Sequence, residues 1–486
     1  MIGEDMSAYV IGIDLGTSGC RSAIFNEKLE MISCCAQTYP LVVISDIQIE
    51  QDANIWWDAV KKTMKDAVLQ SCVPASEIKS ISISSQGIGF VPVDKNGETL
   101  CNSISWLDSR AVAETKQITE KMGVRTIYET TGKIIIPQYT LPKLVWFKNN
   151  EKEIYDSAWK FLLPMDYILF KLSGQAVTDQ TMAAGTLLYD IKKNCWMENV
   201  ISDNGIDHQK LSEVVLSGRS VGNLLPSVAK ELGLCADTKV TCGGQDQKCA
   251  ALGAGIEMGV ATVSLGTGSC ITKIFDHPVF DPEMRITAST FVDENVWELE
   301  GVVNTAASAY QWFRDAFAPE KTFTELDDLA EAAGGPNKEK FYPFLQGDGS
   351  PYLSSGTGTF TGLAMISDLG RLARAVLEGV GFRIRENIDA MCFDGDYEEI
   401  RIFGGGSKSE LWCSIIADIM QKRVTRLPKT EAALLGAAKL ALRGIGVIST
   451  ENILPTESFE PEVENSKRYQ EAYQDYETIR KKYFGK

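Results

Sequence analysis

Two short glycine–threonine turns in the sequence have the residue types that a phosphate group requires. The first is Asp14–Gly19 (DLGTSG) and the second is Gly266–Ser269 (GTGS). Glycine leaves backbone N–H groups open to an anion, and threonine adds a hydroxyl donor. Arg21 follows the first turn and can offset phosphate charge, while Asp14 at its head suits Mg²⁺, which takes few carboxylates and many waters. Gly-Thr turns are common, so neither turn alone indicates a phosphate site, whereas the presence of two is far more informative.

Three further segments carry groups that can act on a ligand. The turn Gly404–Gly406 follows a strand-like segment and precedes a helix-like one, where a nucleotide can lie against a helix N-terminus; a plain tight turn fits this segment equally well. Asp246 follows two glycines, on backbone that we expect to be flexible, where a general base would be placed. Trp106, Asp108 and Arg110 offer an aromatic face, an acceptor and a donor to a polyhydroxylated ligand, although in isolation such features more often form a surface turn and a salt bridge.

The elements that must hold these residues contain an internal repeat. Val10–Phe25 reads VIGIDLGTSGCRSAIF, and Val260–Phe275 reads VATVSLGTGSCITKIF, at an offset of 250 residues. Each is a β-rich run, a Gly-Thr turn and a second β-rich run, which predicts a hairpin with a polar tip. The offset is about half of the 486-residue chain and favours duplication of a domain. Because Ser264 stands where the first hairpin has Asp14, we expect one metal-facing turn and one that faces phosphate only.

Strand-like and helix-like segments alternate after each hairpin. In the first half, Trp56–Gln70 has helical apolar spacing and Ile78–Ser85 is strand-like, and the second half repeats this alternation. The pattern predicts α/β layers. Small residues gather at Gly253–Gly259, so we expect a first domain at 1–255 that binds sugar and phosphate and a second at 256–486 that binds the nucleotide.

Composition excludes several classes of protein. The formal net charge of −17 disfavours nucleic acid and anionic membranes, because both would be repelled. The twelve cysteines include no CxxC pair, which predicts reduced thiols and neither a zinc site nor a disulfide framework. The N-terminal MIGEDMSAYVIGIDLG lacks a basic segment followed by a long apolar one, which predicts a cytoplasmic protein without signal peptide or membrane span. His208 and His277 each follow an aspartate, and we expect both at the surface.

Taken together, these residues resemble the FGGY family of carbohydrate kinases over roughly residues 9–450. Pro137–Phe147 is similar to the first family signature, with Gln138 where a small or aromatic residue is usual. Gly358–Glu378 is similar to the second, with Arg371 in place of a polar or acidic residue. The signature residues matched in the first segment are Thr140, Lys143, Trp146 and Phe147.

The resemblance implies a fold, a reaction and a set of roles. The family fold is the α/β actin-like ATPase type, two ribonuclease-H-like domains flanking a cleft, and the family transfers the γ-phosphoryl group of ATP, with Mg²⁺, to a sugar hydroxyl. By this resemblance Asp246 is the catalytic base and Asp14 holds the metal. The residues expected to bind the nucleotide and its phosphates are Asp14, Gly16, Thr17, Arg21, Gly266, Thr267, Gly404, Gly405, Gly406 and Lys408. The residues expected to bind the sugar are Gln86, Trp106, Asp108, Arg110 and Asp246.

Smaller features favour a pentulose such as D-xylulose as the substrate. Pro137–Lys143 and Phe344–Pro351 look most like the corresponding segments of xylulokinases. Those enzymes usually carry Gln-Met-His-Gly at the sugar pocket, whereas this chain has Ser85–Gly89 (SQGIG), in which the Ile88 side chain can form no hydrogen bond. The arginine–glutamate pair expected of glycerol kinases is missing there too.

Two classes of alternative remain open at the level of sequence. A kinase of glycerol, gluconate, an L-pentulose or an autoinducer-type ligand is the first, and a non-catalytic actin-like nucleotide-binding protein is the second. The expected partner is a small-molecule sugar, with no nucleic acid and no membrane, and a homodimer is allowed.

Overall fold

Two seven-stranded β-sheets organise the residues that the computed structural model describes, which are 8–347, 349–352, 356–428, 431–447 and 457–485. Residues 1–7, which belong to the N-terminal segment from which we expect no signal peptide, lie outside the described residues. The strands of the first half are β1 (Tyr9–Leu15), β2 (Gly19–Phe25), β3 (Met31–Thr38), β4 (Val42–Val43), β5 (Ile49–Gln51), β6 (Ile78–Ser85), β7 (Val91–Val93), β8 (Ser103–Ile104), β9 (Lys160–Leu162), β10 (Val177–Asp179), β11 (Tyr189–Asp190), β12 (Cys195–Trp196), β13 (Glu213–Val215), β14 (Ser220–Asn223), β15 (Lys239–Thr241) and β16 (Gly244–Gln245). Its helices are α1 (Ala53–Ser71), α2 (Val112–Met122), α3 (Val124–Thr131), α4 (Thr140–Asn150), α5 (Lys152–Ser157), α6 (Pro164–Ser173), α7 (Gln180–Ala184), α8 (Glu198–Asp203), α9 (Pro226–Leu232) and α10 (Asp246–Gly253).

The second half continues the alternation of strands and helices. Its strands are β17 (Val260–Ser264), β18 (Ser269–Phe275), β19 (Thr287–Thr290), β20 (Trp297–Val303), β21 (Lys340–Tyr342), β22 (Thr359–Thr361), β23 (Glu399–Phe403), β24 (Arg423–Arg426) and β25 (Glu457–Phe459). Its helices are α11 (Ala307–Phe317), α12 (Phe323–Ala332), α13 (Leu369–Met391), α14 (Glu410–Met420), α15 (Ala432–Arg443) and α16 (Val463–Phe484). Short 3₁₀ turns lie at Ala75–Glu77, His208–Lys210 and Gly405–Lys408.

The two sheets share a similar arrangement of strands around their hairpins, although each has a strand, β16 or β19, that the other lacks. The first runs β14-β15-β6-β1-β2-β3, with β16 also on β6, and the second runs β19-β20-β18-β17-β23-β24-β25. In each, the hairpin strands are antiparallel, and the first hairpin strand pairs in parallel with a later strand, β6 or β23. The predicted α/β layers are therefore confirmed, and the hairpin with its parallel partner strand occurs in both halves.

The core explains why these segments fold as they do. Val10, Ile11, Ile13 and Leu15 of β1 are fully buried, as expected for a central strand covered by helices on both faces. Helix α1 begins after Asp52, whose side chain accepts a hydrogen bond from the N–H of Asn54, and it buries the apolar stripe that its sequence predicted. None of the helices in the described ranges combines the length and apolar character that crossing a membrane requires.

Helix α15 returns from the second half of the chain to the first sheet. Its leucine and alanine side chains form a buried cluster with residues of β1 and β2. It crosses α10 so closely that a Cβ at Gly436 would lie 1.9 Å from the carbonyl oxygen of Cys249. The division into 1–255 and 256–486 stays a prediction, and a cut at residue 255 would separate α15 from the sheet that it covers.

Candidate active site

The pairing of three neighbouring strands brings two carboxylates to one edge of the first sheet. Ser84 of β6 lies opposite Asp14 of β1 and opposite Gly244 of β16. Ser84 Oγ donates a hydrogen bond to Asp14 Oδ1 at 3.1 Å. Because Asp246 starts α10 two residues after Gly244, it reaches the same carboxyl edge as Asp14, where α/β folds bind ligands.

The backbone before Asp246 is tightly held, so the predicted flexibility at this position is wrong. A Cβ at Gly243 would lie 1.6 Å from the carbonyl oxygen of Ile83, which shows that this glycine is needed for close packing on β6. Gln245 caps α10, with its side-chain oxygen accepting from the N–H of Gln247 at 3.0 Å. The Oδ1 atom of Asp246 accepts a second bond from Gln247 N at 2.8 Å and one from the Gln245 amide. Asp246 is thus the first residue of a capped helix.

The environment of Asp246 favours its protonated form more than water does. Burial raises the pKa of Asp246 to about 7, and the negative charge of Asp14 adds to the effect, while the N–H of Gln247 opposes it. The pKa of Asp14 is also raised by burial, which the Ser84 hydroxyl and Arg21 partly offset. A carboxylate with a pKa near neutrality is well suited to accept a proton in catalysis.

A cleft of about 1850 Å³ runs from this pair of acids between the two hairpins. Its wall includes both glycine–threonine turns, through Gly16, Thr17, Gly266 and Thr267. The first glycine closes each turn, but over different spans: Gly16 N donates to Gly19 O at 3.0 Å, and Gly266 N donates to Gly268 O at 3.1 Å.

The two hairpins differ in the residue that precedes each turn. The Oγ atom of Ser264 accepts from Cys270 N at 2.8 Å and is therefore engaged within its own hairpin. Asp14, at the matching place, presents a carboxylate to the cleft. The turns thus differ in the side chain that precedes them, and the assignment of one to metal and the other to phosphate alone stays a prediction.

One end of the cleft is lined by amides and an indole. Gln86, Trp106, Gln138 and Gln245 contribute to its wall, together with the apolar Ile88. These groups can exchange hydrogen bonds with hydroxyls, and the indole offers an apolar face to carbon-bound hydrogens.

The third glycine-rich turn forms another part of the cleft wall. Gly404 has a φ of 99°, a left-handed conformation that favours glycine, and it leads into the 3₁₀ turn Gly405–Lys408 before α14. Gly404, Gly405 and Lys408 line the cleft. Gly406 does not line it, because this residue packs under the turn, where a Cβ would lie 2.7 Å from Leu265 Cγ.

Comparison with known proteins agrees with this arrangement. Residues 9–253 match the N-terminal domain of the FGGY family of carbohydrate kinases, and residues 261–445 match its C-terminal domain. The chain belongs to this family. A xylulose kinase from Bacillus subtilis (strain 168) is 31% identical over 97% of this chain and 96% of its own length. A gluconokinase from the same strain is 30% identical over 92% of this chain and 89% of its own.

Solved structures give the same answer for the fold. A xyloylose kinase from Brucella ovis matches with a TM-score of 0.90 at 29% identity, over 97% of this chain and 98% of that one. As a member of the FGGY family, the protein is a sugar kinase, and its fold is the actin-like ATPase type that the family resemblance implied.

Within this FGGY kinase, most residues selected from the sequence come together in one cleft. Those in its wall are Asp14, Gly16, Thr17, Arg21, Gln86, Trp106, Asp246, Gly266, Thr267, Gly404, Gly405 and Lys408. Asp108 and Arg110, expected at the sugar, are not part of the wall. The Oδ2 atom of Asp108 accepts from Ile49 N at 2.8 Å, and Arg110 forms ion pairs with Asp108 and with Glu50, so this pair braces the small sheet β4-β5-β8.

Several residues of the wall were not selected from the sequence. Gln138, Glu300, Asn304 and Gln346 belong to this group. Gln138 was visible as a departure from the family signature. Glu300 had a weaker signal: two glutamates alternate with apolar residues in Trp297–Val303, which places both on one face of a strand.

Proposed function

We propose that this kinase transfers the γ-phosphoryl group of ATP to a hydroxyl of a pentulose such as D-xylulose, with Asp246 as the catalytic base. The observation that carries the proposal is the position of Asp246, a partly buried carboxylate at the start of α10, in the same cleft wall as both phosphate-type turns. Phosphoryl transfer depends mainly on positioning and on electrostatic stabilisation, and this cleft provides groups for both.

In the proposed reaction Asp246 accepts the proton of the attacking hydroxyl. Its Oδ1 atom is held by Gln245 and Gln247, which leaves Oδ2 to face the sugar. The hydroxyl oxygen forms a bond to the γ-phosphorus as the bond between that phosphorus and the bridging oxygen of ADP breaks. The turns at Gly16–Thr17 and Gly266–Thr267 supply N–H and hydroxyl donors to the phosphate oxygens.

Asp14 fits the role of a magnesium ligand in this proposal. Its partly buried carboxylate lies in the cleft wall, and one of its oxygens is oriented by Ser84. The described residues contain no group of three or more metal-ligating side chains, which agrees with an ion held by one carboxylate, waters and phosphate oxygens. When bound, Mg²⁺ would offset negative charge on the phosphates.

The choice of a pentulose rests on relatives and on the polar lining of the sugar end. Xylulose kinases from several bacteria are 28–32% identical to this chain over nearly its whole length. A gluconokinase reaction is the second candidate, because a gluconokinase is almost as similar. Ile88 lies in the cleft wall at the place where xylulokinases usually carry a histidine, and its apolar side chain cannot bind a sugar hydroxyl.

A coupled assay of ADP release tests the proposal. Purified protein with ATP and Mg²⁺ is offered D-xylulose, L-pentuloses, glycerol and D-gluconate in turn. We expect stimulation of ADP release, strongest with a pentulose. Stimulation by gluconate alone would overturn the pentulose assignment, and no stimulation by any sugar or polyol would overturn the kinase proposal as a whole.

A further inference from the structure

Glu300 occupies a position in the cleft that the proposed reaction does not use. It lies on β20, opposite Thr272 of β18 and Thr287 of β19, and it shares the cleft wall with Cys270 and Val302. Its side chain is 19% exposed, so its carboxylate is mostly but not fully withdrawn from solvent.

Lys248 connects Glu300 to the helix that begins with Asp246, the proposed catalytic base. The Nζ atom of Lys248 lies 3.2 Å from Glu300 Oε2 and 2.6 Å from Oε1 of the buried Glu298. Lys248 belongs to the first turn of α10, which begins at Asp246. The charges of Asp246 and Glu300 are close enough for Glu300 to raise the pKa of Asp246.

One oxygen of Glu300 remains for a ligand. Within the described parts of the chain, the carboxylate of Glu300 has one hydrogen-bond partner, Lys248, and this bond uses Oε2. Lys248 itself is buried and does not line the cleft, so a ligand there meets the carboxylate and not the ammonium group. The free Oε1 atom can accept a hydrogen bond from a hydroxyl.

The cationic side chains of the cleft wall lie elsewhere. In the described ranges they are Arg21, Lys408 and Arg426. Arg21 pairs with Glu431 beside the first phosphate turn, and Arg426 donates to carbonyl oxygens of the Gly405–Lys408 turn. The amide-lined end therefore presents neutral groups and carboxylates, which complement hydroxyls and repel a carboxylate.

We infer that Glu300 is a further substrate-binding residue: it accepts a hydrogen bond from a hydroxyl of an uncharged sugar and disfavours sugar acids. This inference rests on the proposed function and narrows it, because it selects neutral polyhydroxylated substrates over aldonates. Lys248 is the positioning residue that keeps Glu300 aligned with Asp246.

The test compares Glu300→Gln, Glu300→Asp and wild type with D-xylulose and D-gluconate. In Glu300→Gln we expect KM for D-xylulose to rise about tenfold with kcat within about threefold, because a charged acceptor becomes neutral. We also expect the kcat/KM ratio of D-gluconate to D-xylulose to rise about tenfold, since the repulsion is removed. Glu300→Asp keeps the negative charge but moves it away from the ligand, because its side chain is one methylene shorter. This variant should bind D-xylulose more weakly and still reject D-gluconate.

Glu298→Gln is the matched control, because Glu298 shares the strand and the lysine but is buried outside the cleft wall. It should leave both KM values unchanged. Equal effects of Glu298→Gln and Glu300→Gln would show that Glu300 acts only through Lys248 and would overturn the inference, as would unchanged KM values in Glu300→Gln or a wild-type preference for gluconate.

Calorimetric titration of each protein with D-xylulose and D-gluconate, without nucleotide, separates this inference from the proposed reaction. A binding preference for D-xylulose that Glu300→Gln reduces supports the inference even where turnover is absent and the kinase proposal fails. Equal binding of both ligands by wild type and variant overturns the inference whatever the turnover.

Discussion

The indole Nε1 of Trp106 donates a hydrogen bond to Oγ1 of Thr17 at 2.8 Å. This bond joins a side chain at the sugar end of the cleft to the first phosphate turn. A second connection runs in parallel, because Gln86 donates to Gln51 and Gln51 donates to the carbonyl oxygen of Thr17 at 2.7 Å. The wall that would position the sugar and the turn that would position the phosphates therefore form one hydrogen-bonded unit, as a reaction that depends on alignment requires.

Removing the bond between Trp106 and Thr17 should weaken catalysis by a measurable amount. Trp106→Phe keeps an aromatic face and removes the donor, and Thr17→Val keeps the shape and removes the acceptor. Each should lower kcat/KM, and a double-mutant cycle should give a coupling free energy of about 1 kcal/mol. Strictly additive effects would show that the bond does not contribute to transition-state binding.

The pH dependence of the reaction should report Asp246. This residue must be deprotonated to accept a proton, and burial, ahead of the charge of Asp14, raises its pKa to about 7. Below that pH the protonated form dominates, so kcat/KM should rise as pH rises through about 7 and then level off. A profile at limiting substrate checks this, with a stability measurement at each pH as control. An acidic limb near the ordinary aspartate value of about 4 would contradict it.

The crossing of α10 and α15 should tolerate no side chain at Gly436. A Cβ there would meet the carbonyl oxygen of Cys249, which is backbone and cannot move aside. Gly436→Ala should lower the free energy of unfolding by about 1–3 kcal/mol, measured by denaturant titration. The control is Gly405→Ala, which finds no atom within 4 Å of its new Cβ and should leave stability unchanged. Equal stabilities of the two variants would show that the helices can separate without cost.

Patterns of local sequence predicted the layers and both hairpins, because those features depend on residues that are near one another in the chain. The β-rich run that starts at Val10 and the strand-like segment Ile78–Ser85 correspond to β1 and β6, and the 250-residue repeat predicted that the second half would repeat the first hairpin. The contact between Asp14 and Ser84 follows from strand register, and a parallel register over 70 residues is set by packing that no local pattern records.

The predicted positions of some site residues were wrong for a related reason. Asp108 and Arg110 have side chains suited to a sugar, but they satisfy each other and Glu50, and local spacing does not reveal a partner some 60 positions away. Glu300 was missed because its ion-pair partner, the buried Lys248, lies 52 positions earlier in the chain. Gly406 was misplaced because a Cβ there would face the side chains of Leu265 and Trp412, and this packing is set by the tertiary fold.

The most direct test of the central claim is the rate of sugar-dependent ADP formation by wild type and Asp246→Asn, with ATP, Mg²⁺ and D-xylulose. The assignment of Asp246 as base predicts that kcat falls on the order of 10²–10⁴-fold in the variant, while the affinity for ATP stays nearly unchanged. Near-normal turnover by Asp246→Asn would contradict the account, because it assigns proton acceptance to Asp246 alone.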